Sequence, residues 1–159
     1  DFDQLNMYLG NPVEVFAKQT SPSGPAEITV TYENGGIGQV QSFMDITEGV
    51  PFTSTIDLLG TKGMAHYEFS AVSATEESSA GDDAGVNGWH VFSSKRNTMD
   101  RITTDDPYGR QVKYFFEQAS ASGTYDLSPT AAAMAALQVS LAAKDARKEG
   151  RSIAIVSLK

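Results

Sequence analysis

Trp89, His90 and Arg96 are the residues here whose types best suit ligand chemistry. Trp offers a flat stacking surface, His a titratable donor, and Arg a fork for anions or hydroxyls. They follow a long loop, and loops at sheet ends often line sites. An edge strand with a partly buried Trp explains the same residues without any ligand. The other reactive inventory is thin. With two His, at positions 66 and 90, and no Cys, the chain cannot build a three-His zinc site, a thiolate site, a thiol nucleophile or a disulfide. No Ser lies in a G-x-S-x-G elbow. Two acid pairs, Asp1 with Asp3 and Asp105 with Asp106, could do acid–base work. Residues one or two apart on a helix do not face each other, and both pairs lie where a helix start favours acids.

The cluster Gly35-Gly36-Ile37-Gly38 fails as a phosphate cradle, because it joins two strand patterns and not a strand to a helix. Before it, Ile28, Val30 and Tyr32 alternate with Thr29, Thr31 and Glu33, and after it a strand runs from Ile37 to Ile46. Asn34-Gly35 supplies the positive φ of a tight hairpin. A second hairpin is predicted from Phe52–Leu59 and Met64–Ser70, turning at Gly60-Thr61-Lys62-Gly63. Several strands thus present one apolar face and one Thr-rich, uncharged face, a surface suited to being covered.

Ahead of these strands, residues 2 to 9 form a short helix stopped by Gly10 and Pro12, and a strand leaves at Val13. Residues 71 to 88 carry few large apolar side chains and predict a surface loop before the strand Trp89–Ser93. Asp105-Asp106-Pro107 opens a helix with Val112, Phe115, Phe116 and Ala119 on one stripe, ending at Ser122-Gly123. Ser128-Pro129 opens a longer helix, Ala131–Lys148, which Gly150 ends before a closing strand Ile153–Val156. Strands first and helices later predict an α+β class: a mainly antiparallel, mixed β-sheet with helices packed on one face.

The 159 residues fit one domain, 1–159, large enough for a real core. Apolar residues at 40% and charged ones at 20% mark a globular chain. A net charge of −8 argues against nucleic acid and against anionic membranes. No apolar run approaches the ~20 residues of a membrane span. The expected location is cytoplasmic.

An ordered set of landmarks adds a resemblance. Asp1-Phe-Asp3, Tyr8-Leu-Gly10, Pro12-Val13-x-Val15-x-Ala17, Tyr32-Glu-Asn-Gly35 and Leu59-Gly-Thr-Lys-Gly63 occur in sequence. Pro107-Tyr108 with its helix to Phe116 follows, then Ala142-Ala143 through Glu149-Gly150-Arg151 into Ile153-Ala-Ile. Together they resemble the C-terminal domain of the Gfo/Idh/MocA oxidoreductases, the glucose–fructose oxidoreductase and inositol dehydrogenase family. The resemblance implies a two-domain parent. Its N-terminal Rossmann domain would bind NAD or NADP and carry a catalytic Lys, and an Asp-x-x-x-His motif would end just before Asp1. It implies that this chain holds no catalytic residue and binds no cofactor of its own. Its role would be to bind a sugar, inositol or related polyol and to form homodimers or homotetramers through a sheet face. Asp3, Trp89, His90, Arg96 and Tyr108 are the expected substrate-side positions. Val50-Pro51-Phe52-Thr53 departs from the Tyr-rich polar segment of sugar- and inositol-type members. A reading from a different class is a stand-alone, non-enzymatic binding module that shares the sheet.

Overall fold

The computed structural model describes residues 1–43, 50–71, 87–101, 107–120 and 130–156. It is α+β, and every described strand pairing is antiparallel. The strands form two four-stranded sheets where the sequence predicts one. The chain divides into two compact units. The first comprises Asp1–Ile46 and Lys113–Lys159, and the second Thr47–Val112.

In the first unit, helix α1 (Phe2–Leu9) leads into strands β1 (Pro12–Gln19), β2 (Ala26–Tyr32) and β3 (Ile37–Ser42). Gly10 ends α1 at φ 89°, and Asn34-Gly35, with Gly35 at φ 81°, turns β2 into β3. Both positions need the left-handed backbone that glycine adopts without a Cβ clash. The alternation read in the sequence decides the faces. Val15 and Ala17 of β1 and Val30 and Tyr32 of β2 turn to one side and are buried. Val139, Ala142, Ala143 and Ala146 of the long helix Thr130–Glu149 close over them, and Phe2, Leu5 and Leu9 of α1 pack at the margin. Small residues let that helix approach β1 closely. Fully burying Val15, Val30 and Val139 contributes roughly 1.5–3 kcal/mol each. The strand Ile153–Ala154 completes the sheet beside β1 and is shorter than the expected Ile153–Val156. Gly38 is buried, and a Cβ there would stand 2.9 Å from Leu5 Cδ1 and 3.2 Å from a Tyr32 ring carbon, so a larger residue would crowd α1.

In the second unit, strands β4 (Phe52–Gly60) and β5 (Gly63–Ala71) form the second predicted hairpin, in register from Phe52 opposite Ala71 to Gly60 opposite Gly63. Strand β6 (Asn87–Ser93) pairs with β5, and β7 (Asn97–Arg101) pairs with β6. Ala71, Asn87 and Gly88, placed in a loop by the sequence reading, belong to strands; residues 72–86 of that loop lie outside the described residues. Strand β7, Asn-Thr-Met-Asp-Arg, was not expected. Its residues are mostly polar, and it exists through pairing with β6.

Helix α2 (Pro107–Ser120) carries the predicted stripe, yet Val112, Phe115 and Phe116 are 56%, 52% and 63% exposed. The starts and stops expected at Asp105-Asp106, Ser122-Gly123 and Ser128-Pro129, and residues 44–46 of the expected third strand, lie outside the described residues. The long helix is α3 (Thr130–Glu149), and the closing strand Ile153–Ala154 is β8.

Candidate functional site

The second sheet has two chemically different faces, because consecutive residues of a strand point to opposite sides. On one face the register sets Ile56, Tyr67, Trp89 and Asp100 in a row across the four strands. The Tyr67 and Trp89 rings are 5.1 Å apart and tilted by 40°. Phe52 and Phe69 meet edge-on at 6.3 Å. On the other face the register sets Asp57, His66, His90 and Met99 in a row.

That second row contains the titratable cluster of the sheet. His66 Nδ1 lies 2.8 Å from Asp57 Oδ1, and its Nε2 lies 3.7 Å from Glu68 Oε2. The hydrogen bond to Asp57 raises the His66 pKa above the ordinary imidazole value, with smaller contributions from the charges of Asp57 and Glu68. A protonated His66 satisfies both carboxylates at once and acts as a donor. The His90 ring stacks on Phe92 with centroids 4.2 Å apart. Such a face can hydrogen-bond hydroxyl groups through the carboxylate oxygens that His66 leaves open, which act as acceptors.

The expected site residues are therefore not one group. Trp89 and His90 are sequence neighbours on opposite faces, so a ligand lying on one face of the sheet reaches one of the two. Arg96 is exposed in the turn between β6 and β7, where its backbone N–H donates to Ser93 Oγ at 3.0 Å. Tyr108 is exposed in the first turn of α2. Asp3 is exposed in α1 and belongs to the first unit. Sequence reasoning missed the partnership of Asp57, His66 and Glu68. His66 and Glu68 are two apart on one strand, which puts them on one face, but the Asp57 contact depends on the β4–β5 register. The turn Gly60–Gly63 fixes that register, so counting outward from the turn would have found the pair.

No group of three or more His, Asp or Glu suited to a metal occurs among the described residues. Among the described residues, the two glycine-containing hairpin turns do not fit a dinucleotide either. Gly35 to Gly38 joins β2 to β3, and Gly60 to Gly63 joins β4 to β5, so neither turn presents a helix N-terminus to a pyrophosphate. No helix among the described residues is long and apolar enough to cross a membrane.

No family profile and no curated protein matches the sequence. Solved structures do match. An aldose–aldose oxidoreductase from Caulobacter crescentus, complexed with glycerol, aligns over 96% of this chain and 44% of its own, with a TM-score of 0.69 at 13% identity. An NAD-binding oxidoreductase from Klebsiella pneumoniae aligns over 97% of this chain and 48% of its own, with a TM-score of 0.65 at 12% identity. The chain has the fold of part of these oxidoreductases and spans about half of their length.

Proposed function

We propose that this chain is the substrate-binding and oligomerisation domain of an NAD(P)-dependent oxidoreductase acting on a sugar, inositol or related polyol. The observation that carries the reading is the paired coverage. Nearly all of this chain superposes on oxidoreductases, while about half of each of them has no counterpart here. A division of labour explains it: one part holds the nicotinamide, and this part shapes the substrate side. The Asp57–His66–Glu68 face suits hydroxyl-rich ligands, and the aromatic face supports assembly through the sheet. The reading keeps the expected cytoplasmic location.

Hydride chemistry would be supplied by a nicotinamide held outside this chain, in the other part of the parent enzyme. This chain's residues would orient the substrate hydroxyls by hydrogen bonds and exclude water.

Fluorescence titration of the 159-residue chain with NADH and NADPH should give no saturable binding. The whole gene product that contains it should reduce NAD+ or NADP+ in the presence of an aldose, inositol or other polyol. Nicotinamide binding by the chain alone would overturn the division of labour. A whole product inactive across such substrates with both cofactors would point instead to a non-enzymatic module.

A further inference from the structure

The first unit contains a cavity of about 330 Å³ between the first turn of α1, the ends of β1 and β2, and the second half of α3. The volume is at the lower end of the range of small-molecule sites. Its floor is apolar: Phe2, Ala17, Ile28 and Ala143, continuous with the core beneath. Its wall carries Lys144 and Arg147, one turn apart on α3, together with Lys18 and Gln19 of β1 and Ser140. No acidic residue lines it, although the chain as a whole carries a net charge of −8.

The cations are neither neutralised nor randomly disposed. Among the described residues, no carboxylate forms an ion pair with Lys144 or Arg147. Arg147 donates one N–H to Gln19 Oε1. Gln19 is itself pinned, its Nε2 donating to the Pro22 and Gly24 carbonyls at 3.2 and 3.1 Å. The guanidinium is thus held over the cavity while most of its five N–H groups stay available. A planar fork beside an ammonium matches a carboxylate, and the floor beneath matches a hydrocarbon body.

We infer that this cavity binds a small amphipathic carboxylate, its apolar body on Phe2, Ile28 and Ala143 and its carboxylate on Lys144 and Arg147. The site is separate from the His66 cluster and stands whether or not the parent is an oxidoreductase.

Sodium octanoate is a suitable probe. Titrated into the 15N-labelled chain, it should produce saturable shifts at the amides of Gln19, Ile28, Ala143 and Lys144. Lys144→Glu should weaken binding about tenfold or more, since a charge-assisted contact is replaced by repulsion. Lys144 is exposed, so the rest of the spectrum should be unchanged. Ala26→Leu, which extends a side chain onto the floor, should weaken binding with every lining cation intact. Octan-1-ol and inorganic phosphate should each bind at least tenfold more weakly than octanoate. Equal binding of octanol or phosphate, retention of affinity in Lys144→Glu, or no saturable shift at these amides would overturn the inference.

Discussion

Tyr32 shows how one side chain ties two elements together. Its ring is 2% exposed in the core, and its hydroxyl donates to Asn6 Oδ1 of α1 at 3.1 Å. Burial disfavours the phenolate and pushes its pKa up from 10.0 to about 12. A group whose folded pKa is raised stabilises fully below its unfolded pKa and loses that contribution as pH rises through the folded value. The chain should therefore lose stability between about pH 10 and pH 12. Ultraviolet absorbance of tyrosinate should show a late-titrating step from Tyr32, and Tyr32→Phe should abolish it. The same substitution leaves Asn6 Oδ1 without its phenol donor, beside an Asn6 Nδ2 that is already buried without a partner. It should cost about 1–2 kcal/mol in urea unfolding near neutral pH. The sequence placed Tyr32 on the correct face by alternation. It could not disclose Asn6 as the partner, because that contact spans 26 residues and depends on where α1 lies.

At the scale of elements, the long helix α3 is held by what it lacks. Ala142, Ala143 and Ala146 lie against the sheet, with Ala146 0% exposed. At Ala146, which is fully buried, a larger side chain would have to displace its neighbours. Ala146→Leu should cost roughly 1–3 kcal/mol through overpacking, although leucine is a good helix former. Urea denaturation should show a lower midpoint with an unchanged slope. Periodicity made α1, α3 and both hairpins legible, since each carries its own repeat and a glycine stop. The helical period sets Met134, Leu137, Leu141 and Ala142 on one stripe of α3; of these four Ala142 is buried and the three large residues are exposed, and the face that packs is the alanine one with Val139. Side-chain size misled there because close approach favours the smallest residues. Strand β7 was illegible for a different reason: Asn97 to Arg101 lack an apolar alternation, and their conformation comes from β6. The division of strands into two sheets is a property of pairing, which no single segment encodes.

For the whole molecule, the two sheets differ in what covers them. The first buries Val15, Ala17, Val30 and Tyr32 beneath helices. Among the described residues of the second, no large side chain on either face is buried, although one face carries Phe52, Ile56, Leu58, Tyr67, Phe69, Trp89 and Val91. An apolar area of this kind is more than isolated surface hydrophobics account for, and it is the physical motive for the proposed assembly through a sheet face. A two-fold interface would set this face against its own copy, aromatic on aromatic. Light scattering should then give a dimer or larger species at micromolar concentration. Trp89 is the one tryptophan of the sequence and stands within that face, so its emission reports on it directly. On dilution, the emission should move to the red in step with the fall in mass. Ile56→Lys should drive both changes at concentrations where the parent chain stays assembled, because burying an unpaired ammonium in the interface is unfavourable. Ile56 is only partly buried in the single chain, so the variant should retain its secondary structure by circular dichroism. A monomer at all concentrations, or an assembly indifferent to Ile56→Lys, would remove this face from the interface.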